Sequence, residues 1–272
     1  MSENVDLAGQ GFWDSQWAEV SDVRPIDVSD QGLRNYQRRR YHQLFREVFS
    51  VFDAKDKCLL ELGCANSLWL PYFAKEFGFR VSGMDYSEHG CRLERQMLSA
   101  MKVDGEVIFA DFFAPPNECL GKYDVVVSFG VAEHFSDTSG CLQSFAQFLK
   151  PGGMIFTLIP NMCGFPGFLA KVTNRPFYDL HMIIDAKMLA DAHTRAGFVN
   201  VTSDYLMSIN LGVLNNFNGI KKGSVRWRIM KLLLLLFHGI TAGTWFLERM
   251  LGEFRPNKTF SPYVVCTGVK PL

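Results

Sequence analysis

Short apolar runs recur along the first two thirds of the chain and alternate with segments whose apolar residues follow helical spacing. The runs at 58–63, 80–87, 106–113, 123–130 and 154–161 have the length of strands. The run at 123–130 is almost continuously apolar, which is typical of a central parallel strand covered on both faces. Strands that alternate with helices in this way predict an α/β fold with a doubly wound, mostly parallel sheet.

Five other segments carry apolar residues three or four positions apart and are predicted to be helices. They span 31–49, 67–78, 87–101, 138–149 and 183–198. Two later runs, 199–209 and 261–270, predict a sixth strand and a last strand. Residues 1–30 are predicted to be irregular, and 162–182, rich in aromatic residues, glycine and proline, is predicted to be a loop.

Charge and cysteine usage narrow the class of protein. The 272 residues include 28 Lys and Arg and 28 Asp and Glu, so the formal net charge is zero. A chain without an excess of basic residues lacks the field of a nucleic-acid binder, and no nucleic-acid partner is expected. The seven cysteines form no CxxC pair, and the N-terminus is polar and acidic, so a reduced, cytoplasmic protein is expected.

The segment 59–70, LLELGCANSLWL, has the pattern of a strand that turns into a helix around a ligand. Gly63 ends the strand, and Glu61 lies two positions before it. Asp85 ends the next strand, at the interval where a carboxylate receives hydrogen bonds from ribose hydroxyls in doubly wound folds. These residues alone leave NAD, FAD and S-adenosylmethionine open as the cofactor.

The full set of motifs resembles the class I S-adenosylmethionine-dependent methyltransferases. The loop 61–67, ELGCANS, is similar to their first motif, although the family usually has glycine where this chain has Ala65 and Ser67. The segments 81–87, 110–112, 123–135 and 149–161 are similar to the motifs of the later strands. The resemblance implies S-adenosylmethionine as cofactor and a seven-stranded Rossmann-like sheet with an antiparallel last strand.

The resemblance also implies which residues bind the cofactor. Asp85 would bind the ribose, and Asp111 with Phe112 would form the adenine site. The remaining predicted cofactor-binding residues lie on the first loop or at the ends of the second and fourth strands: Glu61, Gly63, Ala65, Tyr86 and Ser128.

The acceptor is expected beside Glu133 and His134, directly after the fourth strand. The pattern S-x-G-x-x-E-H-F is similar to that of cyclopropane fatty acid synthases and some plant alkaloid N-methyltransferases. Ubiquinone O-methyltransferases carry a related E-x-x-E-H that can hold a metal, but Gly130 replaces the first glutamate here, so no metal is expected. His134 is the first candidate for a general base, and His181 is the second. Glu133 is expected to orient His134 or to bind a cation.

Five further residues are predicted to contact the acceptor or cover the cofactor: Tyr36, Tyr41, His42, Phe165 and Tyr178. The predicted activity is methyl transfer to a small, apolar or amphipathic acceptor, with oxygen preferred because a histidine suits removal of a hydroxyl proton. Methylation at nitrogen or carbon and modification of a lipid chain remain alternatives. A non-catalytic cofactor-binding subunit is the alternative from another class.

The segment 209–258 is an apolar insertion between the sixth strand and the last. The rest of the chain is predicted to form an N-terminal helical part, 1–54, which covers the cofactor site, and a catalytic core, 55–208 and 259–272. A membrane span is disfavoured, since the last strand would have to return across the bilayer to reach the sheet. Basic residues flank the apolar run within 221–251. This segment could cap a lipophilic acceptor, form a homodimer contact or lie as a helix on a membrane surface. In the last case the protein would be attached to the membrane peripherally.

Overall fold

The fold is a seven-stranded mixed sheet with helices on both faces, as seen in a computed structural model that describes residues 4–18, 26–214 and 220–272. The strands are β1 (Cys58–Leu62), β2 (Arg80–Asp85), β3 (Gly105–Phe109), β4 (Tyr123–Phe129), β5 (Leu149–Pro160), β6 (Val199–Leu206) and β7 (Tyr263–Val269). Their order in the sheet is β3-β2-β1-β4-β5-β7-β6. The first five pair in parallel, while β7 is antiparallel to both of its neighbours, which confirms the predicted fold.

The helices that connect the parallel strands lie close to their predicted positions. In chain order the helices are α1 (Gln10–Ala18), α2 (Tyr36–Phe49), α3 (Trp69–Phe77), α4 (Glu88–Ala100), α5 (Thr138–Ala146), α6 (Phe165–Thr173), α7 (Arg175–Tyr178), α8 (Ala186–Arg195) and α9 (Val225–Leu251). Side chains that cap the first turn fix several of these starts. Ser87 accepts a hydrogen bond from the Gly90 amide, and Asp137 accepts one from the Gly140 amide.

Two apolar layers hold the helices against the sheet. On one face, Phe45 and Phe49 of α2 pack with Phe73 of α3, and all three side chains are buried. On the other face, Phe145 of α5 packs against the opposite side of β1 and β4. Because the strands are covered on both faces, the carboxyl-terminal edge of the sheet is where a ligand has access.

Two segments that were expected to be irregular contain helices. The stretch after Asn161 forms α6 and α7, and in both helices a proline, Pro166 or Pro176, occupies one of the first two positions. Proline in a sequence usually indicates the end of a helix. In the first turn, however, its missing N–H costs no hydrogen bond, because that N–H would have no partner within the helix. At the N-terminus, α1 forms within the part of the chain expected to be irregular.

The insertion before β7 contains one long helix, α9, of 27 residues. By length and composition it is the one helix among the described residues that is apolar enough to cross a membrane. Most of its surface is exposed, and only Thr241, Trp245 and Glu248 are buried against the rest of the protein.

Candidate active site

A cavity of about 540 Å³ opens at the carboxyl-terminal edge of the sheet, beside the ends of β1, β2, β4 and β5. The first loop and Asp85 line one end of it, which we call the cofactor end. Glu133, His134 and His181 line the other, which we call the acceptor end. This is the crevice in which doubly wound folds bind their ligands.

The loop after β1 is held in shape by Asp85. The Ala65 amide donates a hydrogen bond of 3.0 Å to one carboxylate oxygen of Asp85, and the Ser87 amide donates one of 2.7 Å to the other. Gly63 has φ +74°, and a Cβ there would lie 2.5 Å from a methyl group of Val131, so a side chain at this position is excluded. The backbone is thus fixed at the point where it would approach a ligand.

The two departures from the glycine-rich motif are accommodated within the loop. Ala65 faces Gly90 of α4, where a Cβ would come within 2.3 Å of the Ala65 methyl group, so the absent side chain of Gly90 makes room for it. The Ser67 hydroxyl donates a hydrogen bond of 2.8 Å to Glu61 and accepts one from the Trp69 amide. The N-cap of α3 is Leu68, and the Ser67 hydroxyl binds an amide of the first turn.

Two buried carboxyl groups at the cofactor end favour a cationic ligand. Burial raises the pKa of Glu61 to about 8, although the hydrogen bond from Ser67 acts to lower it. Burial also raises the pKa of Asp85, to about 6. No lysine or arginine is found among the described residues that line the cavity. The sulfonium and ammonium of S-adenosylmethionine suit these acidic groups, whereas the diphosphate of NAD or FAD would meet no positive side chain.

The acceptor end is formed by two histidines and a glutamate. His134 Nδ1 donates to the Leu180 carbonyl oxygen at 2.7 Å, and His181 Nδ1 donates to the Phe177 carbonyl oxygen at 2.8 Å. A carbonyl oxygen only accepts hydrogen bonds, so each Nδ1 carries a hydrogen and each Nε2 presents a lone pair. The two rings lie 4.6 Å apart between centroids.

Burial keeps this cluster uncharged near neutral pH. It lowers the pKa of His134 to about 4, with a smaller contribution from His181, and it also lowers the pKa of His181. Burial raises the pKa of Glu133 to about 8, and neither carboxyl oxygen of Glu133 has a hydrogen-bond partner within the described part of the chain. Both imidazoles are therefore held in the neutral form, whose Nε2 lone pair can accept a proton, and the lowered pKa values make them weaker bases than an exposed histidine.

Comparison with known proteins identifies the family. A family model described as a methyltransferase domain matches residues 34–203, which is more than half of the chain. This chain belongs to that methyltransferase family. Its cofactor is S-adenosylmethionine, in agreement with the charges at the cofactor end of the cavity.

Curated relatives cover part of the methyltransferase. The ubiquinone biosynthesis O-methyltransferase of Marinobacter nauticus is 31% identical over 147 residues, 53% of this chain and 57% of that protein. The protein of the same name from Thiobacillus denitrificans is 32% identical over 102 residues, 37% of this chain and 43% of that protein. Phosphoethanolamine N-methyltransferase 1 of Zea mays is 29% identical over 153 residues, 54% of this chain and 29% of that protein. The methyltransferase thus spans about half the length of the ubiquinone biosynthesis relatives it matches.

Solved structures share the fold at low sequence identity. Phosphoethanolamine N-methyltransferase 2 of Haemonchus contortus, in complex with S-adenosyl-L-methionine, is 15% identical with a TM-score of 0.57, over 98% of this chain and 59% of that one. The [4+2]-cyclase SpnF is 12% identical with a TM-score of 0.60, over 98% and 97% of the two chains. At these identities the likeness concerns the fold alone.

The structure brings most of the predicted cofactor residues of the methyltransferase to the cavity. Those that line it are Glu61, Gly63, Ala65, Asp85, Tyr86 and Phe112. Asp111 is exposed, lies beyond the end of β3 and accepts a hydrogen bond from the Phe113 amide. Ser128 is buried in β4, next to the lining residue Phe129. The roles of all these residues toward the cofactor remain predictions.

Of the predicted acceptor contacts, Tyr41 lines the cavity. Tyr36 instead donates a hydrogen bond of 2.8 Å to Glu248 and stacks on Trp245. His42 pairs with the hydroxyl of Tyr72, 2.8 Å from its Nδ1.

The two candidates after Asn161 lie outside the cavity lining. Phe165 packs against Phe168 and Phe260. Tyr178 is the neighbour of Phe177, which does line the cavity.

Three side chains at the acceptor end could together hold a metal ion: Glu133 and His134, which are adjacent in the sequence, and His181, which lies 47 positions after His134. One ligand atom each from Glu133, His134 and His181 lies within 4.8 Å of the others. His181 thereby supplies a third ligand where Gly130 removes one from the related motif. The expectation that this methyltransferase works without a metal stays a prediction.

Three residues of the N-terminal segment, Asp6, Trp13 and Trp17, line the cavity, and the sequence reasoning did not single them out. The Leu7 amide donates to the His134 carbonyl oxygen at 2.8 Å, and Asp6 accepts a hydrogen bond of 2.7 Å from the Tyr86 hydroxyl. Trp13 of α1 meets the His134 ring edge-on at 5.1 Å, and Trp17 also lines the cavity. The tryptophans are four positions apart, the one signal in the sequence that they share a helix face.

Proposed function

We propose that this methyltransferase transfers the methyl group of S-adenosylmethionine to a hydroxyl oxygen of a small amphipathic acceptor. One observation carries the proposal: two imidazoles, His134 and His181, line the end of the cavity away from the cofactor loop, and each uses Nδ1 to bind a backbone carbonyl, which leaves Nε2 as the nitrogen with a lone pair. A hydroxyl is a weak nucleophile until its proton is removed, and a neutral imidazole is a common group for that step. The name of the ubiquinone biosynthesis relatives, O-methyltransferases, supports the choice of oxygen.

The residues at the two ends of the cavity would have different roles in the reaction. When bound, the cofactor supplies a methyl group already activated on a sulfonium. The loop held by Asp85 and the acidic Glu61 position the cationic part of the cofactor. One of the two imidazoles, His134 or His181, would accept the hydroxyl proton on Nε2 while the methyl group passes from the sulfonium sulfur to the oxygen and S-adenosylhomocysteine is left, and Trp13 of α1 covers the His134 ring.

The apolar walls of the cavity select the body of the acceptor. Trp13, Phe129, Leu158 and Phe177 line it alongside the few polar groups. A pocket of this kind binds the apolar part of a ligand and leaves orientation to a small number of polar contacts. We therefore infer an acceptor with a hydroxyl on a ring or at the head of an apolar chain.

Nitrogen methylation is the second candidate, and one observation favours it. Glu133 is buried with both carboxyl oxygens unpartnered in the described chain, and an ionised carboxylate there would pair with an ammonium of the acceptor. Relatives that include phosphoethanolamine N-methyltransferase 1 of Zea mays are consistent with that chemistry. The pKa of Glu133, raised to about 8, favours the neutral acid at pH 7 and therefore the hydroxyl acceptor.

The test uses two acceptors that differ only in the group to be methylated, a hydroxyl in one and an amine in the other. The protein is incubated with S-adenosylmethionine and either a 4-alkylphenol or the 4-alkylaniline with the same chain, and the products are identified by mass spectrometry. We expect the methyl ether from the phenol and no methylamine from the aniline. Transfer to the aniline alone, or S-adenosylmethionine binding without transfer to either acceptor, would overturn the proposal.

The same assay separates base catalysis from metal catalysis. The protein is dialysed against EDTA before the reaction, and we expect the rate of ether formation to stay unchanged. A rate that falls on dialysis and returns with Zn²⁺ or Mn²⁺ would show that Glu133, His134 and His181 hold an ion instead.

A further inference from the structure

The exposed face of α9 is a continuous apolar stripe. Its apolar residues recur every three or four positions, except that Gly243 occupies the place between Ile240 and Leu247. Most of them are more than half exposed. They are Val225, Ile229, Leu232, Leu236, Ile240, Leu247 and Met250. This spacing places them on one face of the helix. The helix is about 40 Å long at 1.5 Å per residue, so the stripe is far larger than the single exposed apolar residues that soluble surfaces carry.

The opposite face of α9 is attached to the body of the protein. Trp245 stacks on Tyr36, and its indole N–H donates to the Ile209 carbonyl oxygen at 3.0 Å. Thr241 accepts a hydrogen bond from the Leu211 amide, and Glu248 accepts one from Tyr36. These contacts fix the rotation of the helix, so the stripe points away from the protein.

The start of α9 is joined to the end of α6, a helix that also carries exposed apolar residues. Arg226 Nη2 donates to the Thr173 carbonyl oxygen at 2.8 Å, which joins the start of α9 to the end of α6. Phe168 and Val172 of α6 are 58% and 65% exposed. The helix after α6 ends beside Phe177 and His181 of the cavity, so this surface lies along the segment that leads to the acceptor end.

Charge is distributed unevenly around the stripe. Six of the 28 basic residues of the chain lie between 221 and 251: Lys221, Lys222, Arg226, Arg228, Lys231 and Arg249. Glu248 is the one acidic residue in that range, and it is buried against Tyr36. The chain as a whole is neutral, so this segment is a local basic region around an apolar face.

Two other occupants of the stripe fit less well. A symmetric contact with a second copy of the chain would gather the basic residues of both 221–251 segments in one interface, and that range offers no exposed acid to balance their charge. A membrane span conflicts with the sheet, since β7 follows the helix and lies between β5 and β6. Buried Thr241, Trp245 and Glu248 also tie the helix to the protein along its second half.

We propose that α9 lies in the surface of an anionic lipid bilayer, with its apolar stripe among the acyl chains and its basic residues at the headgroups. An apolar face flanked by lysine and arginine is the composition of interfacial helices, which bind through apolar burial and attraction to anionic lipid together. The proposal does not depend on which atom the enzyme methylates.

The test is co-sedimentation of the full chain with vesicles. The protein is mixed with vesicles of phosphatidylcholine alone or with one third phosphatidylglycerol, and the bound fraction is measured at low and high salt. We expect binding to the anionic vesicles that weakens with salt and little binding to the neutral ones. Equal binding to both, or no binding to either, would contradict the proposal.

Paired variants assign the binding to α9. Replacing both Leu232 and Leu236 by serine removes the centre of the stripe and is expected to abolish sedimentation with vesicles. The Lys221→Gln, Lys222→Gln double variant is expected to weaken binding about thirtyfold, since each basic residue near an anionic surface contributes about a factor of five to six. Val51→Ser with Met188→Ser, which changes two exposed apolar residues outside the stripe, is the matched control and should bind like the parent.

The oligomeric state is measured on the same samples by light scattering. We expect a monomer for the parent chain and for every variant. A dimer that becomes monomeric in the Leu232→Ser, Leu236→Ser variant, while binding to vesicles is unchanged, would assign the stripe to a second copy and overturn the proposal.

Discussion

The two ends of the cavity are constructed in different ways. At the cofactor end, Glu61, Gly63 and Asp85 come from the ends of two adjacent strands, β1 and β2, within 25 residues of sequence. At the acceptor end, Glu133 and His134 follow β4, while His181 and Trp13 come from segments that have no strand to fix them. The cofactor end is therefore set by the sheet itself, and the acceptor end by how the surrounding segments fold over it.

The difference also appears in charge. The cofactor end holds buried carboxyl groups with raised pKa values, which a cationic ligand would ionise. The acceptor end holds two imidazoles with lowered pKa values, which remain neutral. One end is thus suited to bind positive charge and the other to accept a proton, and variants should separate these two tasks.

The largest effect is expected at the acceptor end. Replacing both His134 and His181 by asparagine removes both Nε2 acceptors, and kcat with a 4-alkylphenol should fall by about 10²–10⁴, the usual contribution of a general base. Cofactor affinity, measured by calorimetry with S-adenosylhomocysteine, should remain within a few-fold of the parent. If cofactor affinity fell as much as kcat did, the two ends would not act separately.

The next effect is expected at the cofactor end. Asp85→Asn removes a carboxylate that orders the Ala65 and Ser87 amides, and a charged hydrogen bond contributes about 1.5–3 kcal/mol. The dissociation constant of S-adenosylmethionine should therefore rise by about ten- to a hundredfold. Glu118→Gln, which changes an exposed carboxylate remote from the cavity lining, is the matched control and should bind as the parent does.

A smaller effect concerns pH. Glu61 has a pKa raised to about 8, so it is mostly protonated at pH 7, and a cationic cofactor favours its ionised form. Binding then releases a proton, and S-adenosylmethionine affinity should rise with pH, approaching tenfold per unit below pH 8 and levelling off above it. Glu61→Gln should give an affinity that no longer depends on pH over this range; affinity in the parent that falls as pH rises would contradict the account.

The sequence predicted the cofactor end of the cavity better than the acceptor end. The alternation of strands and helices and the positions of Gly63 and Asp85 followed from periodicity and motif spacing, and the antiparallel β7 followed from the resemblance to the methyltransferase family. The Glu133–His134 pair was found because it is adjacent to a strand end. Local spacing carries these features, so a single sequence is enough to predict them.

Features that depend on distant segments could not be predicted in this way. His181 was predicted as the second candidate base, but its contact with His134, 47 positions earlier, was not, because only the packing of the 177–181 segment on the 132–134 turn brings the two rings together. Asp6 and Trp13 reach the cavity through backbone pairing between Leu7 and His134. Tyr36 and His42 lie on the predicted helix, but their partners Glu248 and Tyr72 direct them away from the cavity.

The most direct test compares two acceptors in the parent enzyme and in the double His134→Asn, His181→Asn variant. One acceptor is an alkylphenol, which is protonated at pH 8, and the other is an alkyl nitrophenol of similar shape that is already ionised at that pH. If the histidines remove the proton, the variant should lose at least about a hundredfold in kcat/KM with the alkylphenol and little with the nitrophenol. Equal losses with both acceptors would contradict the account and leave the histidines a role in positioning alone.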